Sequence, residues 1–461
     1  MRMILINTNP KIRIIRIISP PVPNRYDSGG HHSYIGIIVF MKDKKLEKII
    51  KQEVARQQLT IDLIASENYA SPDILSVLGS PLTNKYSEGY PGKRYYPGNK
   101  FYDEIELLAQ ERGLKTFGLS EKDWAINVQP YSGSPANLAI YFSLMSPGDT
   151  LMGMNLASGG HLTHGHKVNL SGRIFSAAQY GVDEKTGLID YDYLKVLAHK
   201  YKPKIIVSGL TAYPRKIDFK KFGEIAKEVG AYHVADISHI AGLIAAKLHN
   251  SPFAYSDVVM ATTHKTLRGP RGAVLYTKKG VKNEEGKEIY ELIDRAIFPG
   301  MQGGPHNNVT AAKALMFFEA LQPSFMKYQK QIIKNAQTLA DSLIRKGFNL
   351  VTGGTDNHLL LLDLKNVQLD GLTAEKILEE NRIVANRNSI PGDSSPFKPS
   401  GVRIGTAAVT TRGMKEKEMK LIADLIYRCL VSSGGGSASG GKKESVKKEV
   451  EALCRKFPLS Y

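Results

Sequence analysis

Asp257-Val258-Val259-Met260-Ala261-Thr262 runs directly into Thr263-His264-Lys265-Thr266-Leu267-Arg268-Gly269-Pro270-Arg271-Gly272. The first part, apolar and rich in β-branched side chains, predicts a strand. The second places a lysine just past the strand's C-terminal end, among hydroxyls and a glycine-rich turn. Open α/β sheets bind ligands at that edge. An amine there could form a Schiff base with a carbonyl ligand, whereas a lone lysine is more often a surface residue, so Lys265 needs company before it counts as catalytic.

Asp236 supplies it. It ends the run Tyr232-His233-Val234-Ala235-Asp236, 29 residues before Lys265, about the length of one β-α-β unit. A buried carboxylate at that edge would hold a pyridinium nitrogen protonated and turn the ring into an electron sink. Capping of the next helix is the plainer alternative for Asp236 taken alone.

Outward from these two strands, residues 120–280 alternate apolar β-rich runs with amphipathic segments. The runs include 205–207, 232–236, 257–262 and 273–277, with a helix over 219–229 between them. That alternation predicts a mostly parallel sheet with crossover helices. Ser132-Gly133-Ser134 precedes the apolar segment Ala136 to Leu144, so small residues and backbone amides would stand at a helix N-terminus, where phosphate is favoured. The segment Ser158-Gly159-Gly160-His161-Leu162-Thr163-His164-Gly165-His166 carries three closely spaced histidines. No carboxylate or thiolate accompanies them, so a stacking or hydrogen-bonding imidazole is preferred to a metal ligand.

The ends read differently. Residues 1–40 are Ile-rich, punctuated by Arg and broken by prolines and glycines, and are expected to be a disordered appendage or the product of an upstream start. A helix follows from Met41, with Leu46, Ile49, Ile50 and Val54 spaced three and four apart. After about 315 come a long helix over 327–346, short strands at 358–364 and 382–385, a flexible loop over 432–441 and a last helix over 444–456. The expected division is an extension (1–40), an arm with a large α/β domain (41–315) and a smaller α+β domain (316–461).

A chain of 461 residues, 42% hydrophobic and 23% charged, can bury a sizeable core. Only Cys429 and Cys454 occur, in no paired arrangement, which argues against a disulfide framework or thiolate zinc site and points to the reducing cytoplasm. The net charge of +18 is dispersed apart from tracts such as Lys42 to Lys51 and Lys442 to Lys448, so solvated helix faces account for it better than nucleic-acid binding, and an acidic small-molecule substrate would also benefit. The apolar runs near the N-terminus are too short to cross a bilayer.

Eight blocks, in order, resemble serine hydroxymethyltransferase, a folate-dependent fold-type I pyridoxal-phosphate family, across 41–461. They are Leu63 to Asn68, Asn84 to Tyr96, the Ser132 block, the His161 block, Asp236-Ile237-Ser238-His239, the Lys265 block, Gln302-Gly303-Gly304-Pro305, and Gly401 to Thr406. The resemblance implies a mostly parallel seven-stranded sheet in the large domain. It also implies attachment of pyridoxal phosphate to Lys265, with Asp236 at the ring nitrogen and His161 stacked on the ring. His239 and Thr211 would lie near the ring hydroxyl. Ser132, Gly133 and Ser134 would hold the phosphate, with Tyr86, Gly303 and Gly304 arriving from a neighbouring subunit. Arg403 and Ser66 would bind the amino-acid carboxylate, and Glu88, beside Tyr95 and Tyr96, would be the acid–base group near the pterin, which Asn388 would touch. A structural ion pair is the rival reading of Arg403.

The activity implied by the resemblance is that of a transferase converting L-serine and tetrahydrofolate reversibly to glycine and 5,10-methylenetetrahydrofolate, in a homodimer or tetramer. Tyr131, Pro135, Pro97, Ala273 and Ala407 depart from the usual family pattern, and none of them would make or break bonds. A folate-independent aldolase of the threonine type and a basic RNA-binding protein are the alternatives.

Overall fold

The computed structural model describes residues 42–393, 398–431 and 440–461. The extension expected over 1–40 lies outside them, as do 432–439 of the expected loop. The central sheet has seven strands: β1 (Trp124–Asn127), β2 (Thr150–Met154), β3 (Ser176–Tyr180), β4 (Ile205–Gly209), β5 (Tyr232–Asp236), β6 (Val258–Thr262) and β7 (Ala273–Lys278). Their order across the sheet is β1-β7-β6-β5-β4-β2-β3. Strands β2 to β6 pair in parallel, and β7 alone runs against its neighbours β6 and β1. The chain is therefore α/β with a mostly parallel seven-stranded sheet, as the alternation and the resemblance predict.

Helices cover both faces, so the strand side chains that would be solvated in an open sheet are buried. Val207, Val234, Val258 and Val259 have no exposed surface, and burying each such side chain is worth on the order of 1.5–3 kcal/mol. The helix Phe219–Val229 shows why some elements are legible locally. Asp218 accepts a hydrogen bond from the amide of Lys221, and Gly230 closes the other end at φ +71°, a left-handed conformation that glycine adopts without strain.

A second sheet contains β8 (Asn349–Leu350), β9 (Leu359–Asp363), β10 (Asn386–Asn388) and β11 (Gly401–Gly405), all antiparallel, in the order β8-β9-β11-β10. The long helix is Pro323–Arg345. It begins earlier than the apolar period suggests because proline serves well in a first turn, where its missing N–H costs nothing. This helix contributes Phe325 to the core around the seven-stranded sheet and Leu339 and Leu343 to the core around the four-stranded one. Ile61 and Leu63 also join that second core, because Ile61–Asp62 pairs in parallel with Ile383–Val384. The final helix, Gly440–Lys456, starts before the expected Glu444. The helix expected after Met41 is Lys44–Gln58, capped by Asp43, and its Leu46 and Ile49 stay exposed in the single chain. No helix among the described residues is long and apolar enough to cross a membrane.

Candidate active site

The loops leaving the C-terminal ends of β1, β2, β4, β5 and β6 converge, together with β11 and the turn at Ser66, around a cavity of about 400 Å³. Its wall brings together Ser66, Ser132, Gly133, Ser134, His161, Thr211, Asp236, His239, Lys265 and Arg403. These residues come from segments as far apart in sequence as 66 and 403. The cavity also includes Asn137, His164, Thr262, His264 and Arg271, to which the sequence pattern assigned no role.

Ser132 is the N-cap of the helix Gly133–Leu144, and no side chain among the described residues caps that end. Its first amides are therefore open to an anion on the cavity side. Gly133 is required by space, since a Cβ there would lie 2.8 Å from Thr262 Cγ2. Gly160 is tighter still, its hypothetical Cβ falling 1.9 Å from the carbonyl oxygen of Met154. The loop carrying His161 must therefore leave β2 along the backbone itself.

Asp236 sits at the floor and receives three donors. Asn137 Nδ2 at 3.1 Å and His164 Nε2 at 3.2 Å reach Oδ2, and the Ser238 amide reaches Oδ1 at 3.1 Å. The backbone N–H of His161 donates to His164 Nδ1, which leaves the His164 proton on Nε2, facing the carboxylate. Burial pushes the Asp236 carboxyl up, but hydrogen bonding to His164 foremost outweighs it and holds the group well below the usual carboxylate range. The same network positions His161. Asn137 donates to Thr163 Oγ1 at 2.9 Å, and Thr163 in turn lies 2.7 Å from His161 Nδ1. Burial lowers the His161 pKa to about 4, so the ring is neutral and free to stack.

Lys265 follows β6, and its backbone carbonyl is held by Asn68 Nδ2 at 2.8 Å. Burial lowers its amine to about 8; Asp236 resists that shift, while Arg403 and Arg271 add to it. Arg403, in β11, donates from Nη1 to the Thr211 carbonyl at 2.7 Å and from Nε to Asn386 Oδ1 at 3.1 Å. Burial lowers its guanidinium to about 10. Among the described residues it has no carboxylate partner within ion-pair distance, which removes the structural ion pair as its explanation. A nearly buried guanidinium without an anion is costly unless a ligand supplies one.

The remaining expected site residues are elsewhere in the same chain. Tyr86, Glu88, Gly303 and Gly304 form a second cluster: a Cβ built on Gly303 would lie 3.2 Å from Glu88 Oε1 and 3.5 Å from the Tyr86 hydroxyl. Tyr86, Tyr95 and Tyr96 are 55%, 73% and 43% exposed. Arg94 holds this loop from within, donating to the carbonyls of Ser87 and Gly89 on either side of Glu88 and pairing with Glu106 and Asp103. Tyr131 ties the cluster to the anion end of the helix, its hydroxyl donating to the Gly304 carbonyl at 2.7 Å. Asn388 does not line the cavity; its side chain donates to the Ser389 carbonyl, and Asn386 is the residue of that segment that meets Arg403.

The donor set fits pyridoxal phosphate. A neutralisable amine, an ionised carboxylate at the floor, an uncapped helix end and an unpaired guanidinium surround one cavity. Thr262 Oγ1 and His264 Nδ1, both in its wall, are buried without hydrogen-bond partners among the described residues. Residues 39–426 match the family model described as serine hydroxymethyltransferase. A match over most of the chain, together with this cavity, places the protein in the serine hydroxymethyltransferase family, whose members are pyridoxal-phosphate-dependent transferases.

Proposed function

We propose that the protein transfers the hydroxymethyl carbon of L-serine to tetrahydrofolate, giving glycine and 5,10-methylenetetrahydrofolate, and that the reaction is reversible. The observation that carries this reading is Arg403, a buried guanidinium with no carboxylate partner among the described residues, in one cavity with the amine of Lys265 and the ionised Asp236. Pyridoxal phosphate, when bound, supplies a conjugated ring that accepts the electron pair left on an amino acid when a bond to its α-carbon breaks. Ser132, Gly133 and Ser134 would anchor its phosphate and Lys265 its aldehyde carbon. Asp236 would hold a proton on the ring nitrogen, His161 would cover the ring face, and His239 and Thr211 would line the hydroxyl side. Arg403 binds the serine carboxylate as a planar fork, with Ser66 beside it.

Glu88 would move the proton between the serine hydroxyl and the folate, with Tyr95, Tyr96 and Asn388 around the pterin. In a single chain Glu88 stands in the second cluster, with exposed Tyr86, Tyr95 and Tyr96. Such an aromatic surface is of the kind a second copy covers. The assembly is thus read as a homodimer in which Tyr86, Glu88, Gly303 and Gly304 of each subunit complete the other's cavity. We also read the chain as an arm with a large domain over 41–315 and a small domain over 316–461, acting in the cytoplasm.

The test is serine cleavage measured with and without tetrahydrofolate. Glycine should form rapidly only when folate is present. Equal rates without it would replace this reading with a folate-independent aldolase, and no cleavage of either serine or threonine would end both.

Shared sites make a second expectation. Lys265→Ala and Glu88→Gln proteins should each be nearly inactive, yet co-expressed they should recover activity, because a mixed dimer keeps one cavity with both wild-type groups. Two inactive proteins that stay inactive together, with hybrids verified by mass, would place Glu88 in the cavity of its own chain.

The amine of Lys265 sets a pH dependence for cofactor capture by the apoprotein. Only the neutral amine attacks a carbonyl, and its fraction rises with pH up to the pKa of about 8. Capture should accelerate about tenfold per pH unit below that point and level off above it. Stopped-flow absorbance gives the profile, and a plateau delayed to the ordinary lysine range would mean that the buried environment does not lower the amine.

A further inference from the structure

His358 lies immediately before β9 and has no exposed surface. Its Nε2 is 3.2 Å from the carbonyl oxygen of Ala65, next to Ser66, and 3.3 Å from Nδ1 of His239. Its Nδ1 has no hydrogen-bond partner among the described residues. Burial lowers the His358 pKa to about 3; the Ala65 carbonyl resists that shift, while the charges of Lys265 and Arg403 add to it. His239 is likewise lowered, by burial first and then by those two charges. Both rings are therefore neutral, with one proton each.

The positions of those protons follow from what faces them. A carbonyl oxygen only accepts, so the single proton of His358 must be on Nε2; on Nδ1 it would leave two lone pairs opposed at 3.2 Å and a buried N–H without an acceptor. His239 Nδ1 faces that same N–H and must offer its lone pair. Its proton is then on Nε2. His239 lines the cavity, and no hydrogen bond to a protein group engages its Nε2 among the described residues. The backbone of each ring is independently held: Thr266 Oγ1 donates to the His239 carbonyl at 3.0 Å, and the Thr406 amide donates to the His358 carbonyl at 2.9 Å.

We propose that His358 is a positioning residue that locks His239 in the Nε2–H tautomer, so that the cavity wall presents a hydrogen-bond donor at that point to an acceptor oxygen of the bound ligand. The same ring ties the loop after β5 to the Ala65–Ser66 turn, so one buried group sets both the chemistry and the spacing of two walls. The ligand part rests on the cofactor reading above, and the tautomer part stands without it.

The experiment uses full-length apoprotein labelled with 15N-histidine and correlation spectra that distinguish the two neutral tautomers, with His239 assigned by its loss in His239→Gln. His239 in the wild type should show the Nε2–H pattern. His358→Leu should abolish that fixed pattern, and His358→Gln, which can still donate toward His239 and Ala65, should keep it. An Nδ1–H or protonated His239 in the wild type overturns the proposal, as does an unchanged pattern in His358→Leu. If the leucine protein does not fold, the wild-type pattern and its retention in the glutamine protein decide. Pyridoxal phosphate titrated into the same samples should bind about tenfold more weakly to His358→Leu than to the wild type, and near-normally to His358→Gln. A switched tautomer with undiminished affinity overturns the donor role. Failure of the wild type itself to bind the cofactor counts against the cofactor reading, while the nitrogen shifts still decide the tautomer.

Discussion

The Lys265→Ala protein is expected to fold normally and to cleave serine roughly ten-thousandfold more slowly than the wild type, or worse. The backbone at this position is fixed by contacts the substitution does not touch: Asn68 holds the Lys265 carbonyl, and Gln329 holds that of Thr266. What disappears is the one amine in the cavity that burial has brought down to about 8, so that a useful fraction is neutral near neutral pH. Arg271 and Arg403 also line the cavity, but a guanidinium stays protonated and cannot take over as nucleophile. Lys265→Arg, which keeps the charge, should therefore be as inactive as Lys265→Ala. The visible absorption band of the loaded wild type should be missing or displaced in both. Turnover within tenfold of the wild type in either protein would remove Lys265 from the chemistry.

Asp236→Asn is expected to slow turnover roughly a thousandfold and to weaken cofactor retention. The carboxylate is surrounded by donors on both oxygens, from Asn137, His164 and Ser238. An amide in its place must turn an NH2 toward one of these N–H groups, leaving donors opposed in a buried site. That mismatch alone should cost about 1–3 kcal/mol of stability. The larger effect is chemical, because a neutral side chain no longer favours a proton on the ring nitrogen. Steady-state kinetics and cofactor dialysis separate these contributions: a drop in stability with normal turnover per loaded site would leave Asp236 a structural residue only.

Much of the fold was legible because its signals are local. The helix Phe219–Val229 is bounded by its own cap and its own glycine, and β5 and β6 announce themselves as short β-rich runs between amphipathic segments. Lys265 and Asp236 could be singled out for the same reason. Each stands at or just beyond the end of a recognisable strand, and parallel strand ends share one edge of the sheet. Gly133 and the serines beside it were legible as a helix start, and the structure adds that no side chain closes that start.

Other features depend on which segments the tertiary fold brings together. His164 looked like one histidine among three, and its approach to Asp236 across 72 residues is what sets it apart. Asn137 looked like an ordinary helical residue until its amide reached Asp236 and Thr163. The Tyr86 to Tyr96 loop belongs to the family pattern, yet its separation from Lys265 within one chain could not be read from spacing. Arg94 gripping the carbonyls around Glu88 had no sequence signal beyond its place in that block.

By itself, then, the order of residues determined the alternating α/β architecture, the lysine and aspartate at neighbouring strand ends, and the helix start at Ser132 to Ser134, because propensity, capping and strand periodicity act over a few residues. Only the tertiary structure decided that Arg403 meets Thr211 across 192 residues and, among the described residues, no carboxylate, that His358 reaches both His239 and Ala65, and that Glu88 faces Gly303 instead of Lys265. Those outcomes depend on strand order and on how the two sheets are set beside each other, which brings together groups whose separation along the chain carries no trace of their meeting.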